Sequence, residues 1–555
     1  MKEIKSFNKR LEALRSERST FVNYWQQLSD NFLYHRGRFL VSDRNKGYKR
    51  NTKMYNNVPR LAARTLASGM MAGITSPARP WFRLGAPDPD LNQSHSVREW
   101  LHDVQTMMYS VFSASNVYNS LHTVYGELGV FGNGALGVYP DFENVIRCKS
   151  YTSGSYFLGI NGIDRVDTFY REYQRTVGEV VKGFGFENCS QHVQEQWRRG
   201  NTESPVDIVY AVEPNDDRDM QSPWAMDMPF RAVYYEKGSQ CLRDNKFLLR
   251  SGDDTLSVLT PRWDITCEDV YATDCPGMMA LGDSKSLQLA ERRKFQALDK
   301  LTDPPLKAPT ALKSKVGTSL RSGEIVFTDS PDGLSSIYDT NYRPDLNAIV
   351  AITDQIEMRI KTAFYEDLFL MLSQSDRRQI TAREVAEKHE EKLLMLGPVL
   401  ERLHSELLDP LIDRTFNIMN KAGILPPAPE ELQGRELRVE YVSILAQAQQ
   451  LVTVGSLERV AGFAGNLSGV WPEARHKVNV FQMVDDFAEA LGVSPTLIRS
   501  DDDAQSMVAA EQQAAQMAAL NEQVNTAANT AKVASDAEVS ENNALGAVMR
   551  RAGLA

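Results

Sequence analysis

The sequence predicts an α+β protein that is mainly helical. Three observations carry that prediction: apolar residues at helical steps through the first 130 positions, a middle stretch of short alternating runs, and helical steps again from about residue 279. With 555 residues, 42% of them hydrophobic and 24% charged, the chain has material for two to four domains with sizeable cores.

The first element is a long amphipathic helix, or two in series. Ile4, Phe7, Leu11, Leu14, Phe21, Trp25, Leu28 and Phe32 step by three, four or seven, which gathers them on one face. A basic linker, RNKGYKRNTK, follows. Residues 53–130 read as mostly helical, with Val97, Leu101, Val104, Met108, Val111 and Phe112 at helical steps. They are interrupted at SPARPWF, where Pro77 and Pro80 force an extended segment.

The stretch VFGNGALGVYP, residues 130–140, holds Gly132, Gly134 and Gly137 at the spacing of a dinucleotide-binding loop. Such a loop needs a strand before it and a helix after it, because the phosphate sits on the free N–H groups of that helix. Here a helix precedes, and the short segment that follows ends at Pro140. The glycines therefore close a helix and open a strand, and no nucleotide is expected on them.

From Ala135 to about Thr266 runs such as SYFLGI, RVDTFYREY and VDIVYAV predict strands, with one short helix near TVGEVVKGFG. Residues 279–302 form the next helix, stopped by Asp303, Pro304 and Pro305. An insert of loops and strands occupies 303–344. Leu346, Ile349, Ile352, Ile356, Ile360, Phe364 and Leu368 then mark a helix over 345–370, with Asp354, Glu357, Arg359 and Lys361 among its other positions. MLSQSDRRQ breaks it. Thr381 and Glu384 make a capping box for a helix that reaches Lys421, about 60 Å long, which Pro398 and Pro410 should bend. Residues 437–500 alternate a strand with short helices. The Ala-, Gln- and Asp-rich tail from Asp501 is either a disordered acidic tail or a helix stable only against copies of itself.

The chemistry of enzymes is not legible here. There is no Gly-Lys dipeptide and hence no P-loop, and no G-x-S-x-G elbow. KHEEKLL begins like a zinc-protease helix, but the position four after His389 is Leu393. Asp216–Asp217, Asp253–Asp254 and Asp501–Asp503 read as solvated loops. Five cysteines without a C-x-x-C pair argue against a disulfide framework or structural zinc, and for a reducing cytoplasm. The opening residues are charged and lack the apolar core of a secretory signal, and TLASGMMAGITSPA is too short to cross a bilayer. A net charge of −10 is opposite to the footprint of a tight nucleic-acid binder.

The order of these elements, together with SPARPWFRL, VFGNGALGVY, SGSYFLGINGIDRVDTFYREYQ, DCPGMMALGDSK, TDPPLKAP and LMLGPVLERLHSELLDPLIDRTFNIMNKAGILPPAPEEL, resembles the portal, or head-to-tail connector, proteins of short-tailed, T7-like bacteriophages. The resemblance spans about the first 500 residues. It implies a portal fold in which twelve copies form a ring, each with wing, stem, clip and crown. By position, residues 1–275 would be wing, 279–302 and 345–370 the stem helices and 303–344 the clip. Residues 371–380 would be a channel loop, 381–422 a kinked wing helix, 423–500 wing and crown, and 501–555 a crown helix or flexible tail.

On this resemblance Arg359, Gln374, Arg377 and Arg378 are candidates for transient contact with passing DNA, with an intersubunit ion pair as the alternative for the arginines. Lys307, Lys313 and Lys315 would face docking partners, and Ile349, Ile352, Ile356, Ile360 and Phe364 would pack the stem. The implied partners are other copies of the chain, double-stranded DNA, the major capsid protein, the scaffolding protein, the terminase large subunit as motor, the tail adaptor and tail proteins, and internal core proteins. No cofactor, metal, catalysis or membrane insertion is implied. The implied place is the portal vertex of the virion, after assembly in the host cytoplasm. Twelve helices about 10 Å across, side by side, leave a bore of about 28 Å, which admits a duplex about 20 Å wide. The competing reading is another elongated phage tail or internal-core protein without a closed channel. It explains poorly why an insert of about forty residues should lie between two helices.

Overall fold

The computed structural model describes residues 4–41, 54–86, 88, 91, 94–222, 224–238, 246–302, 306–309, 325–328, 335–336, 346–369, 397–432, 438–441, 459–464, 466–467, 479–480, 482–484, 487, 499, 501–536 and 551. They fall into two compact units. One comprises Met1–Gly85, Asp103–Ala428 and Arg435–Ala448; the other Ala86–His102, Pro429–Gly434 and Gln449–Ala555.

In the first unit, α1 (Ile4–Asn31) is a single helix, so the apolar stripe is not divided. α2 (Val58–Gly73) carries Pro59 in its first turn, where a missing N–H costs nothing. β1 (Phe82–Gly85) is extended, as the two prolines before it require; α3 (His95–Ala114), whose residues from Asp103 onward belong to this unit, and α4 (Val117–Phe131) follow. Gly132 caps α4 with φ 76°, and its N–H donates to the Leu128 carbonyl at 3.0 Å. A Cβ at Gly132 would stand 2.7 Å from Ala272 Cβ. Strand β2 (Leu136–Asp141) starts four residues later, so the glycines turn a helix into a strand.

The β region then runs as β3 (Val145–Ser150), β4 (Tyr156–Ile160) and β5 (Val166–Thr176). Two short helices follow, α5 (Val177–Phe184) and α6 (Gln191–Arg198), and then β6 (Pro205–Pro214), β7 (Phe230–Glu236), β8 (Leu249–Asp253) and β9 (Val258–Leu259). β4 to β8 form an antiparallel five-stranded sheet in sequence order, and β2 is flanked by β3 and β9 in a second sheet. Alternation along β6 decides its two faces. Val209 and Ala211 join Ile4, Phe7, Leu11 and Leu14 of α1 in one core. Ile208 packs instead with Val177, Val180 and Val193 of α5 and α6. The capping box of α5 is formed by Thr176 and Glu179. Helix α6 was not expected: Ser190 caps it by accepting from Val193 N–H, but no acidic residue completes a box.

α7 (Pro276–Thr302) precedes the insert, in which β10 (Leu306–Pro309) lies between β11 (Ile325–Thr328), parallel to it, and β12 (Ser335–Ser336), antiparallel. α8 (Leu346–Ala363) returns along α7. α9 (Gly397–Leu403), a π turn at His404–Leu408 and α10 (Asp409–Lys421) form one bent helical run over 397–421, the described part of the helix expected from Thr381, and β13 (Arg438–Tyr441) pairs antiparallel with β1, Phe82 opposite Tyr441. In the second unit α11 (Asp501–Asp536) is one helix of 36 residues, about 54 Å long. Gln505–Val524 on it are exposed. Among the described residues no helix is long and apolar enough to cross a membrane, and no three His, Cys, Asp or Glu side chains converge as a metal-binding group.

Candidate functional site

The helices flanking the insert form an antiparallel pair: Asp283, two turns into α7, meets Arg359, near the end of α8, at 2.9 Å. Beyond its buried first residues, Pro276 to Met278, α7 buries Ala280, Leu281, Ser284, Leu287, Gln288 and Glu291 on one face. Opposite them, Ile356 (6% exposed), Ile360 and Phe364 (both 0%) are buried, with Thr353 beside them. Ile349 is half-buried. Ile352, expected in the same seam, is instead 54% exposed. At that level Thr353 (2% exposed) takes the place facing the partner helix and Ile352, one position round the helix, falls at the edge of the seam, and beyond Glu291 nothing is buried on α7. Its buried face continues as Phe295 and Leu298, both nearly half exposed, so the seam thins toward the insert.

The pair is clamped near the middle of α7. Gln288 Oε1 accepts from the backbone N–H groups of Tyr55 (2.6 Å) and Asn56 (2.9 Å), and Gln288 Nε2 donates to the Asn56 carbonyl at 2.9 Å. Asn56 Nδ2 donates in turn to Glu357 Oε1 at 2.8 Å, so one asparagine ties both helices. The helix expected over 345–370 stops at Ala363. Tyr365 adopts φ 54°, unusual for a residue with a Cβ, and Phe364 lies 5.4 Å from the Phe32 ring. A further helical turn places Phe369 against Gly69 of α2, where an added Cβ would clash at 2.1 Å.

The bent helix is held to the β region by charge. Arg262, 1% exposed, forks onto Glu406 with Nη2 to Oε1 at 2.5 Å and Nε to Oε1 at 3.2 Å, while its backbone N–H donates to Oε2 at 2.9 Å. Glu406 sits in the π turn, directly before Pro410. The expected bend thus takes the form of a widened turn preceding the proline, whose missing N–H leaves the regular ladder broken. Arg414 donates to the Val138 carbonyl (2.7 Å), to Thr255 and to Asp253 (3.2 Å), and Lys421 pairs with Asp254. Asp253 and Asp254, read from sequence as solvated, are therefore anchors for α10. Asp217 likewise faces Arg231 at 3.7 Å. Nothing in the sequence marks the Arg262–Glu406 pair, whose members stand 144 residues apart.

The family model described as bacteriophage head to tail connecting protein matches residues 4–498. The chain belongs to this family. It is 43% identical over 552 residues to the portal protein of Salmonella phage epsilon15, covering 98% of each chain. It is 42% identical over 542 residues to the probable portal protein of Bordetella phage BPP-1, covering 97% of this chain and 96% of that one. A solved neck of the empty gene transfer agent particle aligns with 77% of this chain and 93% of that one at 11% identity, with a TM-score of 0.36, too low to bear on the fold.

In this connector chain Arg359 is 61% exposed and paired with Asp283 of its own chain, a partner that neither DNA contact nor an intersubunit pair had anticipated. Lys307 lies on β10, which is described in its backbone. Gln374, Arg377, Arg378, Lys313, Lys315, His389 and the capping box of Thr381 and Glu384 lie outside the described residues.

Proposed function

We propose that the chain is a portal subunit, whose copies close into a ring of twelve around a bore through which double-stranded DNA enters the capsid and later leaves it. The observation that carries this reading is the match to portal proteins over 98% of both chains, so the whole architecture is shared and not one module. The helix pair supports it independently. In one chain Val350, Ile352 and Met358 on α8, and Met279, Leu289 and Phe295 on α7, are 43–68% exposed. Apolar side chains on several faces of a two-helix unit suit a wall in which each pair packs between two others.

In this reading α7 and α8 are the stem, and the insert with Lys307, Lys313 and Lys315 is the clip, offered first to the packaging motor and then to the tail adaptor. The 371–380 loop, with Gln374, Arg377 and Arg378, faces the bore. The motor's energy comes from a separate ATPase. A chain of net charge −10 suits passage, since a ring of fixed phosphate contacts would hold DNA still. Capsid and scaffolding proteins, and internal core proteins, would contact the wing and crown at the virion's portal vertex, after assembly in the host cytoplasm.

Light scattering and electron microscopy of the purified chain test the proposal. Closed rings near twelve times 62.4 kDa, with an axial hole wider than a duplex, are expected. Open filaments, or a chain that stays monomeric with scaffolding protein present, would overturn it.

A further inference from the structure

A cleft of about 710 Å³ lies away from the helix pair, between α1, the residues after it, and strands β3 to β5. Cations crowd it. Arg15 and Arg18 come from α1, Arg171 and Arg175 from β5, with Lys149, Arg38 and Lys237 around them, against only two carboxylates, Glu172 and Glu179. Both carboxylates are already engaged: Glu172 with Arg15 and with Lys237 (2.5 Å), and Glu179 with Arg175 (3.3 Å). Among the described residues no carboxylate pairs with Arg18, Arg38, Lys149 or Arg171. Arg18 is 7% exposed, and burial, followed by repulsion from Arg15, pushes its guanidinium below its ordinary value. The Nε atoms of Arg18 and Arg171 are buried without a hydrogen-bond partner. After Val41 the sequence runs SDRNKGYKRNTK, five cations against the single carboxylate of Asp43.

We propose that this cleft is a docking site for an acidic peptide segment of a partner protein, whose carboxylates meet Arg38, Lys149, Arg171 and Arg175. Its volume accepts a few side chains and excludes a duplex about 20 Å wide. Its rings are not free for nucleobases: the Arg18 guanidinium covers Phe157 at 3.9 Å, and that of Arg171 lies 4.6 Å from Tyr173 and 4.7 Å from Tyr151. What the cleft presents is guanidinium and ammonium groups, and it already seats one carboxylate between two cations in Glu172. In a chain of net charge −10, so local a positive site steers an acidic partner to one place. The cleft is built within one chain, so the inference does not depend on ring closure.

Fluorescence anisotropy of the full chain with a labelled Asp- and Glu-rich peptide of about twelve residues tests it, with inorganic phosphate and a short single-stranded oligonucleotide as competitors. Saturable binding that weakens with salt, and weakens about tenfold or more in Lys149→Glu and in Arg38→Glu, is expected. Both residues are exposed, so unchanged circular dichroism and melting should accompany the loss. Absent peptide binding at low salt, binding indifferent to both reversals, or displacement by oligonucleotide or phosphate at far lower concentration than unlabelled peptide would overturn the proposal.

Discussion

At the scale of the residue, stability rests on a few buried charges whose partners lie far along the chain. Arg262→Met leaves Glu406, whose side chain is 15% exposed, without its fork, and removing one partner of a buried pair costs about 3–5 kcal/mol. Chemical denaturation of the first unit's transition should show a loss of that order; an unchanged midpoint would mean that the π turn is held by packing alone. Glu127, 1% exposed, accepts from the Thr152 hydroxyl (2.8 Å) and the Ser153 N–H (3.0 Å), with Arg36 at 3.5 Å. Burial is the largest influence and raises its carboxyl above the ordinary value of 4.5, opposed by Arg36 and the hydrogen bonds. A raised folded-state value means that the carboxyl's contribution is fully present below 4.5 and is lost as pH rises from there through the higher value of the folded state. The stability of the wild type relative to Glu127→Gln should therefore fall as pH climbs from about 4.5 toward neutrality. Melting temperatures of both proteins across that range measure it, and a difference that grows with pH would contradict the assignment.

At the scale of the element, the pair of α7 and α8 combines a sealed end and an open one. Ile356→Asp places a charge at a position only 6% exposed, and should cost several kcal/mol within a single chain. Ile352→Asp, one turn away but 54% exposed, should leave the melting of the isolated chain within about 0.5 kcal/mol of wild type. It should nonetheless impair assembly if the open end is covered by a neighbour. Thermal melts of unassembled protein beside size-exclusion profiles separate these effects. Equal destabilisation by both variants would show that the seam is continuous after all.

At the scale of the whole molecule, the exposed apolar side chains of the helix pair and the exposed length of α11 are surfaces left uncovered among the described residues of one chain. Closure of the proposed ring would cover the first, and its signature is cooperative: assembly should bury these positions together, so rings should melt above unassembled chains at equal protein concentration. Identical melting of the two species would argue that the contacts between copies are too weak to define a wall.

Periodicity made α1, α7 and the first part of α8 legible, because a helix that buries one face must place apolar residues every three or four positions. The turn at Gly132 was legible for a similar reason: a left-handed cap strongly favours glycine, and a helix before it with Pro140 after it excluded a phosphate loop. The stop of α8 at Ala363 was not, since Phe364 and Tyr365 carry no breaker signal and are bent by the pockets that Phe32 and Gly69 provide. Nor was the exposure of Ile352, which keeps the helical step but lies at the edge of the seam where Thr353 takes the buried place. The sequence by itself determined most stretches of helix and strand, though not α6 or the stop of α8, and, through the ordered motifs, the family. Only the tertiary structure decided which charges meet, as in Arg262 with Glu406 and in the cationic cleft, because local patterns record the period of burial within an element. They carry no record of which distant element supplies the other half of a contact.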